Sequence, residues 1–136
     1  MSQDSDKIDY SFKNALLLYK NDQLNKSNKI CLKILKKNHN NFDALHLLSV
    51  INFQKKNYKL SEDFIDKAIK INPEKPGIYN FYGVILSKLE QFERALENFI
   101  KAIKINPNDF EAYNNLGNVY SRLRKLNDAL ESFDKA

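Results

Sequence analysis

A spacing of 34 residues runs through this chain and constrains its fold more than any other feature. Ile71-Asn72-Pro73 returns as Ile105-Asn106-Pro107, 34 residues later. The same step carries Tyr79 to Tyr113, Gly83 to Gly117, Ala95 to Ala129, Phe99 to Phe133 and Ala102 to Ala136. One step back from Gly83, Phe92 and Ala102 lies at Ser49, Tyr58 and Ala68. Chemically distinctive residues do not hold one offset by chance, so the chain is an array of similar units. With unit positions numbered 1 to 34, the units begin at Ile8, Phe42, Pro76 and Phe110. A polar N-terminal tail (1–7) precedes a degenerate unit (8–41). Two full units follow (42–75 and 76–109), then a fourth (110–136) that stops at position 27, within its second helix.

Inside a unit the apolar residues keep helical spacing. Tyr79, Tyr82, Gly83, Leu86 and Leu89 form one stripe, and Phe92, Ala95, Leu96, Phe99, Ala102 and Ile103 form another. The polar break between them, Glu90-Gln91, is short. It predicts two antiparallel helices per unit, each of about 14 residues and ~21 Å long. Three glycines and three prolines are too few for the many tight turns of a sandwich or barrel, so the expected class is all-α. Asn72-Pro73 and Asn106-Pro107 are expected to end the second helices, because proline lacks the amide hydrogen and displaces its predecessor from helical angles. Pro76 is expected at the start of the next first helix, where its fixed φ suits the fold.

Small residues recur at unit positions 8, 20 and 27: Ser49, Ser61 and Ala68, then Gly83, Ala95 and Ala102, then Gly117, Ala129 and Ala136. A glycine inside a helix costs about 1 kcal/mol relative to alanine. Its repetition at position 8 predicts a compensating close approach of two helix backbones, near the lower end of interhelical distances, about 8 Å. In the first unit Ile34 stands at position 27, bulky where the others are small.

This pattern resembles the tetratricopeptide repeat. The resemblance is carried by Tyr79, Tyr82, Gly83, Ala95, Phe99, Ala102 and Pro107, and by Tyr113, Leu116, Gly117, Tyr120, Ala129, Phe133 and Ala136. It is strong over 42–136 and weak over 8–41. It implies a right-handed superhelical solenoid of antiparallel helix pairs, stacked so that neighbours bury a continuous core. It also implies a concave groove, walled by the first helices, that binds a segment of a partner protein. The candidate groove residues are His46, Val50 and Phe53 in the second unit, and Asn80, Val84 and Ser87 in the third. In the fourth they are Asn114, Asn115, Asn118 and Arg122. Asparagine offers one acceptor and two donors, so these amides suit a peptide backbone.

Two variants of the family are tested on the same positions. One clamps a C-terminal carboxylate with lysine, arginine and asparagine. This chain offers Phe12, Leu16, Leu47, Gly77 and Phe81 in one register, and His46, Val50, Phe81, Glu111 and Asn115 in the next. Neither set supplies the cations a carboxylate needs, so that mode of binding is not expected. The other variant precedes sugar-transferring domains and carries an asparagine ladder, which only Asn115 matches.

No catalytic constellation is present, and neither an enzyme nor a cofactor is expected. The two histidines, His39 and His46, have no nucleophile or metal-ligand spacing around them, the glycines are too scattered for a phosphate loop, and no small-molecule substrate is expected. The only cysteine, Cys31, falls on a buried stripe, which predicts a core role. The start is polar, with no leader, so a cytoplasmic location is expected. The alternative to a binding module is the recognition arm of a longer enzyme, such as a glycosyltransferase. The formal charge of +5 rests on nineteen lysines against three arginines, and +4 of it falls within 1–41. Arginine is preferred where phosphate or base edges are gripped, so nucleic acid and anionic membranes are not expected partners. The apolar edge left by the unfinished fourth unit invites a further unit or self-association.

Overall fold

The computed structural model describes the backbone of residues 2–135. The side chains at 2, 4, 128, 129 and 131–135 lie outside the described residues, and with them the repeat positions Ala129, Phe133 and Ala136. Among the described residues there are seven α-helices and no strand: α1 (Ser2–Lys20), α2 (Leu24–Lys37), α3 (Phe42–Gln54), α4 (Tyr58–Ile71), α5 (Ile78–Lys88), α6 (Phe92–Ile105) and α7 (Phe110–Lys135). The expected all-α class is therefore the observed one. None of these helices is long and apolar enough to cross a membrane. The chain divides into two compact units, residues 1–73 and 74–136.

The turns within the first three helix pairs share one backbone. Asp22, Lys56 and Glu90, all at unit position 15, take left-handed φ angles of 62°, 65° and 61°. The amide after each donates to a carbonyl five residues back: Gln23 to Leu18 at 2.8 Å, Asn57 to Asn52 at 2.8 Å, and Gln91 to Leu86 at 2.9 Å. The left-handed residue donates in turn to a carbonyl three back, as Glu90 does to Ser87 at 3.1 Å. This paired pattern closes off the orphan carbonyls of a helix end and reverses the chain. A non-glycine residue there costs roughly 1–2 kcal/mol, which burial of the second helix must offset.

The fourth unit differs from expectation. Arg124 holds position 15, yet α7 runs through it as a single helix of 26 residues. Continuing the helix keeps every amide bonded and avoids the left-handed cost. The apolar stripe that a reversal would bury stays in solvent, with Leu126 50% and Leu130 61% exposed. The N-terminal tail also differs: it carries no glycine or proline, and α1 extends through it to Ser2. The first helix of the third unit starts later than expected, at Ile78, beyond Pro76. Asn41 and Asp109 cap α3 and α7 by accepting from the amides of Ala44 (2.9 Å) and Ala112 (3.0 Å). The equivalent Lys75 has no acceptor, and Gly77 turns the chain into α5 at φ 81°.

In the compact half 1–73 α1 packs on α2, α2 on α3 and α3 on α4. Ala15, Cys31, Ile34, Ala44, Leu47, Leu48 and Ile51 form its core, with Phe12, Leu16 and Phe64 laid against it. Small residues set the pair distance. The Ser27 hydroxyl donates to the Ala15 carbonyl at 2.6 Å. Ser49 donates to the Ser61 carbonyl at 2.8 Å, and Ser61 returns a bond to the Ser49 carbonyl at 2.7 Å. Such bonds between positions 8 and 20 require backbones in near contact.

In the compact half 74–136 α5 packs on α6, and α7 packs on both. Here the close approach is apolar. A Cβ added at Gly83 would meet the Phe99 ring at 2.5–2.8 Å, and that ring is buried to 1% exposure. Gly117 does not repeat this. Nothing lies within 4 Å of its missing Cβ, because α7 does not fold back on itself. The two glycines therefore predict opposite outcomes. Gly83→Ala is expected to destabilise by about 1–3 kcal/mol through overpacking, whereas Gly117→Ala should stabilise by up to about 1 kcal/mol through helix propensity. Urea denaturation of both variants reads the signs directly.

Candidate functional site

The residues singled out in the sequence fall on helix faces set by 3.6-residue periodicity. On α5, Asn80, Val84 and Ser87 follow one another at steps of four and three. On α7, Asn115, Asn118 and Arg122 do the same at steps of three and four. Within the compact half 74–136 these faces meet at an open concavity of about 250 Å³. Val84, Ser87, Asn115, Asn118 and Arg122 line it together with Lys88, Phe99 and Val119. Its floor is apolar, from Val84, Phe99 and Val119, and its rim carries two amides and two cations.

Several polar groups in this concavity are already engaged. Asn80 is only 8% exposed, and its Oδ1 accepts from Asn115 Nδ2 at 3.1 Å. Asn80 therefore stands behind the surface and orients Asn115. Ser87 donates its hydroxyl proton to the Gly83 carbonyl at 2.9 Å, leaving oxygen lone pairs as its offer to a ligand. The Arg122 guanidinium sits 5.7 Å from the centre of the Phe92 ring, which holds the cation at the rim. Asn118 is exposed. Asn114 is exposed too, on α7 but outside the lining.

In the compact half 1–73 His46, Val50 and Phe53 lie along α3 and are half-buried. The His46 ring is tilted against Phe42 at 5.6 Å, and Phe53 meets Tyr58 edge-on at 5.3 Å. Leu47, expected on the groove face, is instead part of the core. Phe99 and Val119 were not among the sequence candidates. Phe99 belongs to the packing stripe of α6, yet its ring lines the concavity beside Gly83, the one neighbour without a side chain. Val119, only 4% exposed, supplies the α7 side of the floor.

Cys31 is fully buried, and burial raises its thiol from the ordinary value near 9 to about 12. Among the described residues no group of three or more His, Cys, Asp or Glu side chains converges as metal ligands would.

Sequence profiles described as TPR repeat match residues 83–123, and profiles described as tetratricopeptide repeat match 42–75 and 111–136. The chain belongs to the tetratricopeptide-repeat family, whose repeats are generally protein-interaction modules. No curated protein matches the sequence. Among solved structures, the first TPR of Spaghetti (RPAP3), bound to the HSP90 peptide SRMEEVD, superposes with a TM-score of 0.84 at 19% identity, over 88% of this chain and 95% of that one. MamA superposes at 0.82 with 20% identity, over 98% and 73%. A Thermobaculum terrenum O-GlcNAc transferase gives 0.80 at 22% identity, over 88% of this chain but 23% of the transferase. At these identities the likeness establishes the tetratricopeptide-repeat fold.

Removing the Asn80 side chain with Asn80→Ala is expected to cost about 1 kcal/mol, since it deletes a buried hydrogen bond. Exposed Asn118→Ala should stay within about 0.5 kcal/mol of the wild type. Thermal unfolding of the two variants checks the contrast. The Cys31 thiol should react with a disulfide reagent at pH 8 roughly a thousandfold more slowly in the native protein than in urea, given its displaced pKa. The sign for stability follows: Cys31 has no pH effect below about 9. Above that it lowers stability as pH rises toward 12, because the unfolded chain loses the proton first.

Proposed function

We propose that this chain is a non-catalytic interaction module that holds a peptide segment of a partner protein against its first-helix faces. The reading is carried by the concavity between α5 and α7, where an apolar floor lies beneath amide and guanidinium groups. That combination suits an extended backbone with a side chain seated below it. Asn115 and Asn118 would pair with peptide amides and carbonyls, Arg122 would meet an acidic or carbonyl group, and Val84 would contact an apolar side chain. The amides read backbone more than sequence, so affinity should depend weakly on side-chain identity away from the floor. His46, Val50 and Phe53 on α3 are proposed as a second contact strip, Asn80 as the support of Asn115, and Ser87 and Asn114 as flanking contacts. The proposed setting is the cytoplasm, with no cofactor and no small-molecule substrate. Self-association through the exposed side of α7 is included, to be read from a concentration-dependent sedimentation coefficient.

A second reading makes the array the recognition arm of a longer enzyme. It is favoured by the likeness to the transferase, of which this chain spans 23%. The single asparagine at the ladder position, Asn115, argues for the peptide module instead. Panning a random peptide library against the whole chain tests the proposal. Selected peptides are expected to bind Asn115→Ala/Asn118→Ala and Val84→Glu at least about tenfold more weakly. Peptides that bind these variants as well as the wild type, or a library that yields none, would refute the groove.

A further inference from the structure

The strongest unassigned feature is a cleft of about 400 Å³ between α1 and α2, in the range of ligand sites, roughly 300–1,000 Å³. It lies at the end of the pair remote from the turn, and no residue of α3 or α4 lines it. Its walls are apolar, from Ile8, Ile30 and Ile34, and lysines at 7, 33 and 37 surround the mouth. The sequence explains why the cleft is here. At the turn end the pair is drawn together by the Ser27–Ala15 bond at 2.6 Å. At the open end Ile34, buried and lining the cleft, stands where the other units place alanine.

The charge is unbalanced as well as concentrated. The lysines at 7, 33, 36 and 37 are exposed, and none forms an ion pair among the described residues. Lys36 and Lys37 sit in the last turn of α2, where the helix dipole favours cations. That accounts for neither Lys33 nor Lys7, which come from mid-helix and from the neighbouring helix. Aspartates 6 and 9 of α1 do not line the cleft.

We propose that this cleft is a second docking site, apart from the concavity between α5 and α7, for an acidic segment of another protein that carries paired apolar side chains. The apolar walls take the paired side chains, and the lysines meet the flanking carboxylates. A concave site with apolar walls is wrong for a lipid headgroup layer, which is flat. It also offers no aromatic ring and no arginine on which bases could stack, so single-stranded nucleic acid fits poorly.

The test uses the full chain and a fluorescein-labelled peptide, DEELLEELLDEE, read by anisotropy. Binding is expected to weaken at least about tenfold in Lys33→Glu/Lys37→Glu. Lys104→Glu, on α6, and the groove variant Asn115→Ala/Asn118→Ala should bind as the wild type does. Raising salt from 50 to 300 mM should weaken binding several-fold, and a peptide with serine in place of leucine should bind at least about fivefold more weakly. Circular dichroism confirms that the variants fold. Three results would each overturn the proposal: equal binding by the charge-reversed variant, equal binding of the serine peptide, or tighter binding of a uridine 15-mer or phosphatidylserine vesicles than of the leucine peptide.

Discussion

Two helix backbones brought nearly into contact at unit positions 8 and 20 are the constraint on which each pair depends. In the third unit the contact at position 8 is apolar and its partner is position 24, with the Phe99 ring seated on the bare α-carbon of Gly83. In the first and second it is polar, and buried serine hydroxyls bond across to the opposing backbone. The two solutions differ chemically but demand the same thing, a side chain no larger than a hydroxymethyl group at the crossing. In these three units the left-handed turn residue is tolerated and the chain reverses. Burial of the second helix then outweighs the strain at Asp22, Lys56 or Glu90.

The fourth unit shows the same balance from the other side. Its small residue is present at Gly117, and its turn position is occupied by Arg124, a residue no worse suited than Lys56. Yet α7 is continuous, and Leu126 and Leu130 face solvent. Turn residues alone do not decide a reversal when none of them is a glycine. The packing on offer to the second helix decides it.

This bears on what the sequence made legible. The repeat period, the helix pairs of the first three units and their Asn-Pro or Asn-His ends follow from spacing and from proline chemistry. The straightness of α7 does not, because Gly83 and Gly117 look identical until the ring above one of them is seen. The delayed start of α5 was readable only in the missing cap at Lys75. Groove candidates were legible as helix positions, and five of the ten line one concavity. The burial of Asn80 and of Leu47 was not, since periodicity separates a groove face from a core face by a single residue. The cleft beside Ile34 was visible in the sequence only as an anomaly, a bulky residue out of pattern. Functionally, the molecule presents shape, amides and cations on rigid helices, with its one thiol sealed in the core.

A double-mutant cycle at Gly83 and Phe99 tests the central contact most directly. If the ring resting on the glycine limits the helix approach, Phe99→Leu should relieve the penalty of Gly83→Ala. The two changes together should then cost less than their sum by at least about 0.5 kcal/mol in urea denaturation. Strict additivity would contradict the account, because it would mean that residues 83 and 99 do not meet in the folded chain.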